Sequence, residues 1–220
     1  MAERDLLTMI REHLFSAVIG DVMDNVGLHR QFLPPEVRPI APGMMVVGYA
    51  MPLQLADLTG DWDATDAFGV MFRALDDLKP GEVYVTAGGS LNYSLWGGLM
   101  STRAQKLGAA GAVFDGFHRD TKEIVQLGFP VFSRGAYAQD QRGRGHVTDF
   151  RCPVTFANGT RAEPGDIIVG DIDGVVLIPK ANAVEIVRLA LQKVEGEEGV
   201  RRMIESGETT ESVFAKTGIM

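Results

Sequence analysis

The 220 residues, 45% of them hydrophobic, suffice for one sizeable domain to bury a core without covalent staples. A single cysteine, Cys152, excludes a disulfide framework and a cysteine-rich metal centre, and points to a reducing cytoplasm. A net charge of -8 argues against a nucleic-acid surface, because phosphate contacts need a concentrated basic patch.

The N-terminal MAERDLLTMIREHL is charged and amphipathic, unlike a signal peptide, and no apolar run reaches membrane-spanning length. A soluble, cytoplasmic protein is expected. Leu6, Leu7, Ile10 and Leu14 follow a helical stripe and predict a first helix over about 3–14. Ser16 is placed to cap a second helix carrying Val18, Ile19, Val22 and Met23, closed by Gly27. Asp21 and Asp24 on that helix read as its solvated face or as caps to a neighbouring loop. Pro34, Pro35, Pro39 and Pro42 make the next stretch a non-helical connector. Met44 to Leu55 reads as a buried strand with a bulge or close approach at Gly48. Ala64 to Leu78 carries apolar residues at helical intervals and is stopped by Lys79-Pro80-Gly81, after which Glu82 to Thr86 forms a strand. This rhythm favours an α/β fold with helices packed on a sheet.

Gly97-Gly98 precedes a helix over Leu99 to Leu107, where bare backbone amides can cradle an anion or the glycines can serve the turn alone. Neither a phosphate-loop nor a dinucleotide fingerprint is present. Ala112 to Phe114 is a strand that delivers Asp115 to Asp120 to its C-terminal end, the ligand-binding edge of an open α/β sheet. Asp120 and Glu123 share one face if a helix begins at Asp120. Together they can hold a hard divalent ion, with Arg119 free to grip a carboxylate, or they form a capping box with no metal. Arg142 and Arg144 read as part of a solvated loop. Val154 to Ala162 is expected to be a hairpin turning at Asn158-Gly159, with positive φ at both. Strands over Ile167 to Asp171 and Val175 to Ile178 follow, then a helix from about Ala181 whose continuation brings Glu195, Glu197 and Glu198. The polar tail after Gly207 carries no readable pattern.

Gly98, twenty intervening residues, Arg119-Asp120, two more residues and Glu123 match a Gly-x20-Arg-Asp-x2-Glu/Asp pattern. Ile19-Gly20-Asp21-Val22, Val47-Gly48-Tyr49-Ala50, Gly97-Gly98-Leu99-Met100, Val113-Phe114-Asp115-Gly116, Gly128-Phe129-Pro130-Val131-Phe132, Pro164-Gly165-Asp166 and Asp171-Ile172-Asp173-Gly174-Val175 accompany it over nearly the whole chain. On these segments the sequence resembles the class II 4-hydroxy-4-methyl-2-oxoglutarate/4-carboxy-4-hydroxy-2-oxoadipate aldolases, of one superfamily with the ribonuclease E activity regulator A proteins. The resemblance implies a single domain over 1–220 with a layered β/β/α, swivelling-domain-like sheet core and flanking helices. It also implies that the helical segment over about 181–206 serves subunit contacts.

Carried onto this chain, the resemblance implies that Arg119 binds the pyruvyl carboxylate or keto oxygen and stabilises the enolate. Asp120 is implied as the direct ligand of Mg2+ or Mn2+. Backbone amides around Leu99 and Met100, beyond Gly97 and Gly98, are implied to hold the other end of the pyruvate unit. Glu123 is implied to support the metal through water, replacing an aspartate that other members carry at the Gly98 position. A glutamate of the C-terminal segment, Glu198 ahead of Glu197, is implied to reach the site of a neighbouring subunit in a homotrimer or a hexamer; a solvated acidic helix surface is the alternative. The substrate is then a small keto acid, cleaved without a Schiff-base lysine, since Lys122 reads as a surface residue.

His118 departs from the family, which has a small or apolar residue there. It reads as a surface side chain, a contact to the second substrate carboxylate, or a proton carrier. His13, His29 and His146 show no zinc spacing. The expected activity is release of pyruvate by a metal-dependent aldolase, with oxaloacetate decarboxylation through the same enolate. The competing expectations are a ribonuclease regulator without chemistry, and a related lyase or decarboxylase for another substrate. Glu123 favours catalysis, because the regulators share Arg-Asp but lack this carboxylate.

Overall fold

The computed structural model describes residues 3–59 and 67–219. The chain opens with helices α1 (Glu3–His13) and α2 (Ser16–Asn25), whose apolar stripes are buried. Ser16 does not cap its own helix. Its amide and hydroxyl both donate to the Asp171 carboxylate, at 2.6 and 2.7 Å, so the cap comes from a distant strand. Ahead of the sheet core lies the short strand β1 (Arg38–Pro39), followed by β2 (Val46–Asp57).

Three repeats of strand, helix and parallel strand follow, the first of them starting from β2. They comprise α3 (Met71–Asp76), β3 (Glu82–Ala87), β4 (Ser94–Trp96), α4 (Gly98–Lys106), β5 (Gly111–Phe114), β6 (Phe117–His118), α5 (Thr121–Leu127) and β7 (Val131–Ser133). Next come β8 (Gly145–Phe150), β9 (Val154–Thr155), β10 (Arg161–Ala162), β11 (Ile167–Asp171) and β12 (Gly174–Ile178). The long helix α6 (Ala183–Glu205) and the shorter α7 (Thr210–Thr217) end the described chain. None of the helices among the described residues is long and apolar enough to cross a membrane.

The main sheet runs β1-β7-β5-β3-β2-β11-β12, with β8 also paired to β2. The β2–β3, β3–β5 and β5–β7 pairs are parallel, and the others in this sheet are antiparallel. Its two edges are tied together by the proline connector. Leu33 N donates to Val175 O on β12, and a few residues later Arg38 pairs with Ser133 on β7. The sheet is therefore nearly closed, and alternate side chains face alternate cores. Val83 and Val85 of β3, Ile168 of β11 and Leu177 of β12 fill the interior. Tyr84 on β3 turns instead to a core under α3, α4 and α5, while Val176 and Ile178 of β12 turn to one under α1, α2 and α6.

Several local expectations are revised. The helix expected over Ala64 to Leu78 is confined to Met71–Asp76, and residues 64–66 lie outside the described ones. Phe68 and Val70 exchange backbone bonds with Val147 of β8 (3.1 and 2.9 Å), and Gly69 sits at φ +59°, so sheet pairing wins over coiling there. Gly48 is a close approach and not a bulge. A Cβ there would collide with Gly81 O, whereas the register break lies between Gln54 and Leu55. In the β9–β10 hairpin only Gly159 has positive φ. Asn158 instead accepts Thr160 N (3.1 Å) and donates to Phe32 O (2.9 Å), which holds the turn in a wider form. The polar tail folds as α7, capped by Thr209 accepting from Ser212 N at 3.2 Å.

Candidate active site

The site grows from the C-terminal ends of β3 and β5, neighbouring parallel strands whose outgoing loops lie side by side. Those loops pair as a second, two-stranded parallel ribbon, with Ser94 opposite Phe117 and Trp96 opposite His118. Arg119 N donates to Trp96 O at 2.9 Å, extending the ribbon by one bond. Trp96 is buried against Phe114 and Phe129, and its Nε1 donates to Ser101 Oγ at 2.6 Å, anchoring the first turn of α4 to the core. The ribbon thus brings Gly97-Gly98 against Arg119-Asp120, although about twenty residues separate them in sequence.

Asp120 does not form a capping box. It precedes α5 in the left-handed conformation (φ 58°) and makes no side-chain cap to its own helix. This conformation costs of order 1 kcal/mol for most residues and is best tolerated by aspartate and asparagine. It turns the carboxylate toward α4, where Oδ2 accepts from Gly98 N at 3.1 Å. An anion at this helix start meets amides that no preceding turn can satisfy. Gly98 N is taken by Asp120, and the next amides belong to Leu99 and Met100.

Both glycines are required by their neighbours. A Cβ at Gly97 would stand 2.6 Å from Asp120 Oδ2, and a Cβ at Gly98 would overlap the Glu123 carboxylate. Two carboxylates therefore rest directly on two side-chain-free residues. Glu123 is exposed and makes no hydrogen bond or ion pair among the described residues.

Arg119 lies between carboxylates, with Nε 3.8 Å from Asp120 Oδ2 and Nη1 3.4 Å from Asp140 Oδ1. All three side chains are about 40% exposed, so these pairs are weak in water and the guanidinium is available to a ligand. Arg119 borders a cavity of about 220 Å3 lined with Phe68, Phe72, Trp96, Met100 and Gln141. On its other side lies a shallower space of about 350 Å3 beside Asp120 and Tyr137. The larger concavities, of up to about 770 Å3, lie on other faces and include none of residues 97–123.

His118 is not beside the ligand space. It is 3% exposed, with Nδ1 2.7 Å from Ser133 Oγ and Nε2 2.8 Å from Thr121 Oγ1. Burial lowers its pKa from the ordinary histidine value, so at neutral pH it is an uncharged link between β7 and α5. The surface reading of this residue is corrected.

Asp120 and Glu123 are oxygen donors of the kind a hard divalent ion selects, and Glu123 has unused acceptor capacity. In that sense they fit Mg2+ or Mn2+. No group of three candidate ligands converges among the described residues, so water, substrate or another subunit would complete the coordination. Glu198 is exposed on α6 and 3.6 Å from Arg202 Nη1, and Glu197 lies 3.2 Å from Lys193 Nζ. That helix packs on α1, α2 and α7, and neither glutamate joins the site of its own chain.

Sequence reasoning missed Asp140 and Gln141. Ser94 N and Oγ both donate to Gln139 O, at 2.7 and 2.8 Å, and hold this loop against the ribbon from 45 residues away. No local pattern encodes that. Arg144, expected in a solvated loop, bonds the carbonyls of Asp140 and Arg142 and shapes the turn.

The model of the RraA-like family, described as Aldolase/RraA, matches residues 16–177. A protein of Halalkalibacterium halodurans provisionally named a 4-hydroxy-4-methyl-2-oxoglutarate aldolase is 32% identical over 92% of this chain and 90% of its own length. Protein DlpA of Legionella pneumophila is 29% identical over 96% of this chain. The chain spans only 34% of the length of that protein. Among solved structures, Streptomyces coelicolor RraAS2, an unusual member of the RNase ES inhibitor RraA family, superposes with TM-score 0.80 at 27% identity. It covers 91% of this chain and 97% of its own.

Proposed function

The chain belongs to the Aldolase/RraA family, and from that premise we propose that it cleaves 4-hydroxy-4-methyl-2-oxoglutarate or 4-carboxy-4-hydroxy-2-oxoadipate by a metal-dependent retro-aldol reaction that gives pyruvate. One observation carries the reading. Arg119, Asp120 and Glu123 meet over Gly97 and Gly98, whose missing side chains leave the carboxylates room. The name of the Halalkalibacterium relative supports the same activity.

In this reading Arg119 grips the 2-oxo acid through a forked contact and stabilises the negative charge that develops on its enolate oxygen. The amides of Leu99 and Met100 bind and orient the other end of the pyruvyl unit, where the helix start already favours anions. Phe68, Trp96 and Met100 line the cavity beside Arg119 and offer an apolar wall to the carbon chain of the substrate. Asp120 and, through water, Glu123 would hold Mg2+ or Mn2+, which supplies a Lewis acid that polarises the keto oxygen. Oxaloacetate decarboxylation is proposed as a second activity, because loss of CO2 leaves the same enolate. Glu198 is proposed to complete the site of a neighbouring subunit in a homotrimer or a dimer of trimers.

The test is pyruvate release from 4-hydroxy-4-methyl-2-oxoglutarate and from oxaloacetate, in Mg2+ and in excess chelator. Turnover that depends on the metal is expected. Likeness to RraAS2 favours a second reading, a protein-binding regulator without chemistry, and absence of turnover with either compound would move the assignment there.

A further inference from the structure

Resting on the aldolase reading, we propose that Gln141 is a substrate-binding residue that recognises an oxygen on the half of the substrate beyond the pyruvyl unit. Gln141 is 3% exposed and lines the cavity bordered by Arg119. Its Nε2 is buried and has no hydrogen-bond partner. A buried amide nitrogen left without an acceptor costs roughly 1–3 kcal/mol, so its retention calls for a compensating role.

The surroundings give Gln141 no structural duty for that nitrogen. Its backbone carbonyl already accepts from Arg144 N (2.9 Å) and Gly145 N (3.1 Å), and the loop is pinned by the bonds from Ser94 to Gln139 O and by a bridge between Ser94 and Asp140. The loop therefore holds its shape without the amide. The remaining cavity wall joins an apolar side, including Phe68, Met71, Leu95 and Trp96, to a polar rim of Arg119, Asp120 and Asp140. There the unpartnered amide of Gln141 is complementary to one acceptor oxygen of a ligand whose carbon chain lies along the apolar side. Arg119 answers the 2-oxo acid end, so Gln141 answers the far end. The ligand class is a 2-oxo acid long enough to place a hydroxyl or carboxylate oxygen in the cavity while its carboxylate stays on Arg119.

The experiment compares pyruvate with 2-oxoglutarate, a longer 2-oxo diacid without the hydroxyl needed for cleavage, as ligands titrated calorimetrically in Mg2+ to the whole protein and to Gln141→Leu. Thermal midpoints of both proteins are measured alongside. The proposal expects Gln141→Leu to weaken 2-oxoglutarate about tenfold, the worth of one hydrogen bond to a ligand, and pyruvate less than twofold. It also expects an unchanged or higher thermal midpoint, because an unpartnered buried amide is replaced by an apolar isostere. Equal weakening of both ligands, an undiminished affinity for 2-oxoglutarate, or a midpoint lowered by several degrees would overturn it. If the unaltered protein binds neither keto acid, the aldolase reading fails and takes this inference with it. If it binds both and only the difference is missing, that reading stands and the role of Gln141 falls.

Discussion

The carboxylate of Glu123 occupies the space that a side chain at Gly98 would enter. The two positions are therefore alternative ways of delivering a carboxylate to one spot, from the start of α4 or from the first turn of α5. Glu123→Ala should lower kcat/KM for pyruvate release by about tenfold or more, as expected for the loss of a group that supports a metal through water. The exchange Gly98→Asp with Glu123→Ala should recover much of that loss, whereas Gly98→Asp alone should crowd two carboxylates and impair the enzyme. Steady-state kinetics of the three variants at saturating Mg2+ checks this.

Arg119→Lys keeps the charge but loses the planar fork. It should lower kcat/KM by roughly 10²-fold, of which an increase in KM is only part, if Arg119 stabilises the enolate as well as binding the acid. A change confined to KM would restrict Arg119 to uniform binding.

His118 predicts a pH dependence of stability. Its pKa is lower in the folded state, so between that value and the unfolded value of about 6.5 the unfolded chain binds more protons. The stability contribution is fully present above about 6.5 and is lost as pH falls through the folded pKa. Thermal midpoints from pH 8 to 5 should fall more steeply for the unaltered protein than for His118→Gln. The pH profile of kcat should not shift in that variant, because both ring nitrogens face Ser133 and Thr121.

Asp171 holds α2 by accepting from Ser16 N and Oγ. Asp171→Ala should destabilise the fold by about 1–2 kcal/mol, the range of a lost helix cap, without changing kcat. Chemical denaturation with an unchanged m-value measures it.

These cases show how much could be read before the fold was known. Apolar periodicity located α1, β2, β3 and the strand-helix repeats, because burial on one face leaves a local mark. The spacing from Gly98 to Arg119 and Glu123 points to candidate site residues only through family resemblance, since no local rule says that the two segments meet. The failures share a cause. Ser16 is expected to cap its own helix, and a capping box is one of the two local readings of Asp120, yet Ser16 takes a carboxylate from β11 and Asp120 gives one to α4. Asn158 is diverted by Phe32 O, and residues 68–70 by Val147. Asp140 and Gln141 enter the site on bonds from Ser94. Hydrogen bonds between distant segments overrode local propensity in each instance.

The central claim, that Asp120 over the Gly97-Gly98 turn serves metal-assisted enolate chemistry, is tested most directly by kcat/KM for pyruvate release in Asp120→Ala at saturating Mg2+. The account predicts a fall of at least about 10³-fold, comparable to chelator treatment of the unaltered protein, with a thermal midpoint lowered only by the modest cost of alanine in the left-handed conformation. Full activity in Asp120→Ala would contradict it.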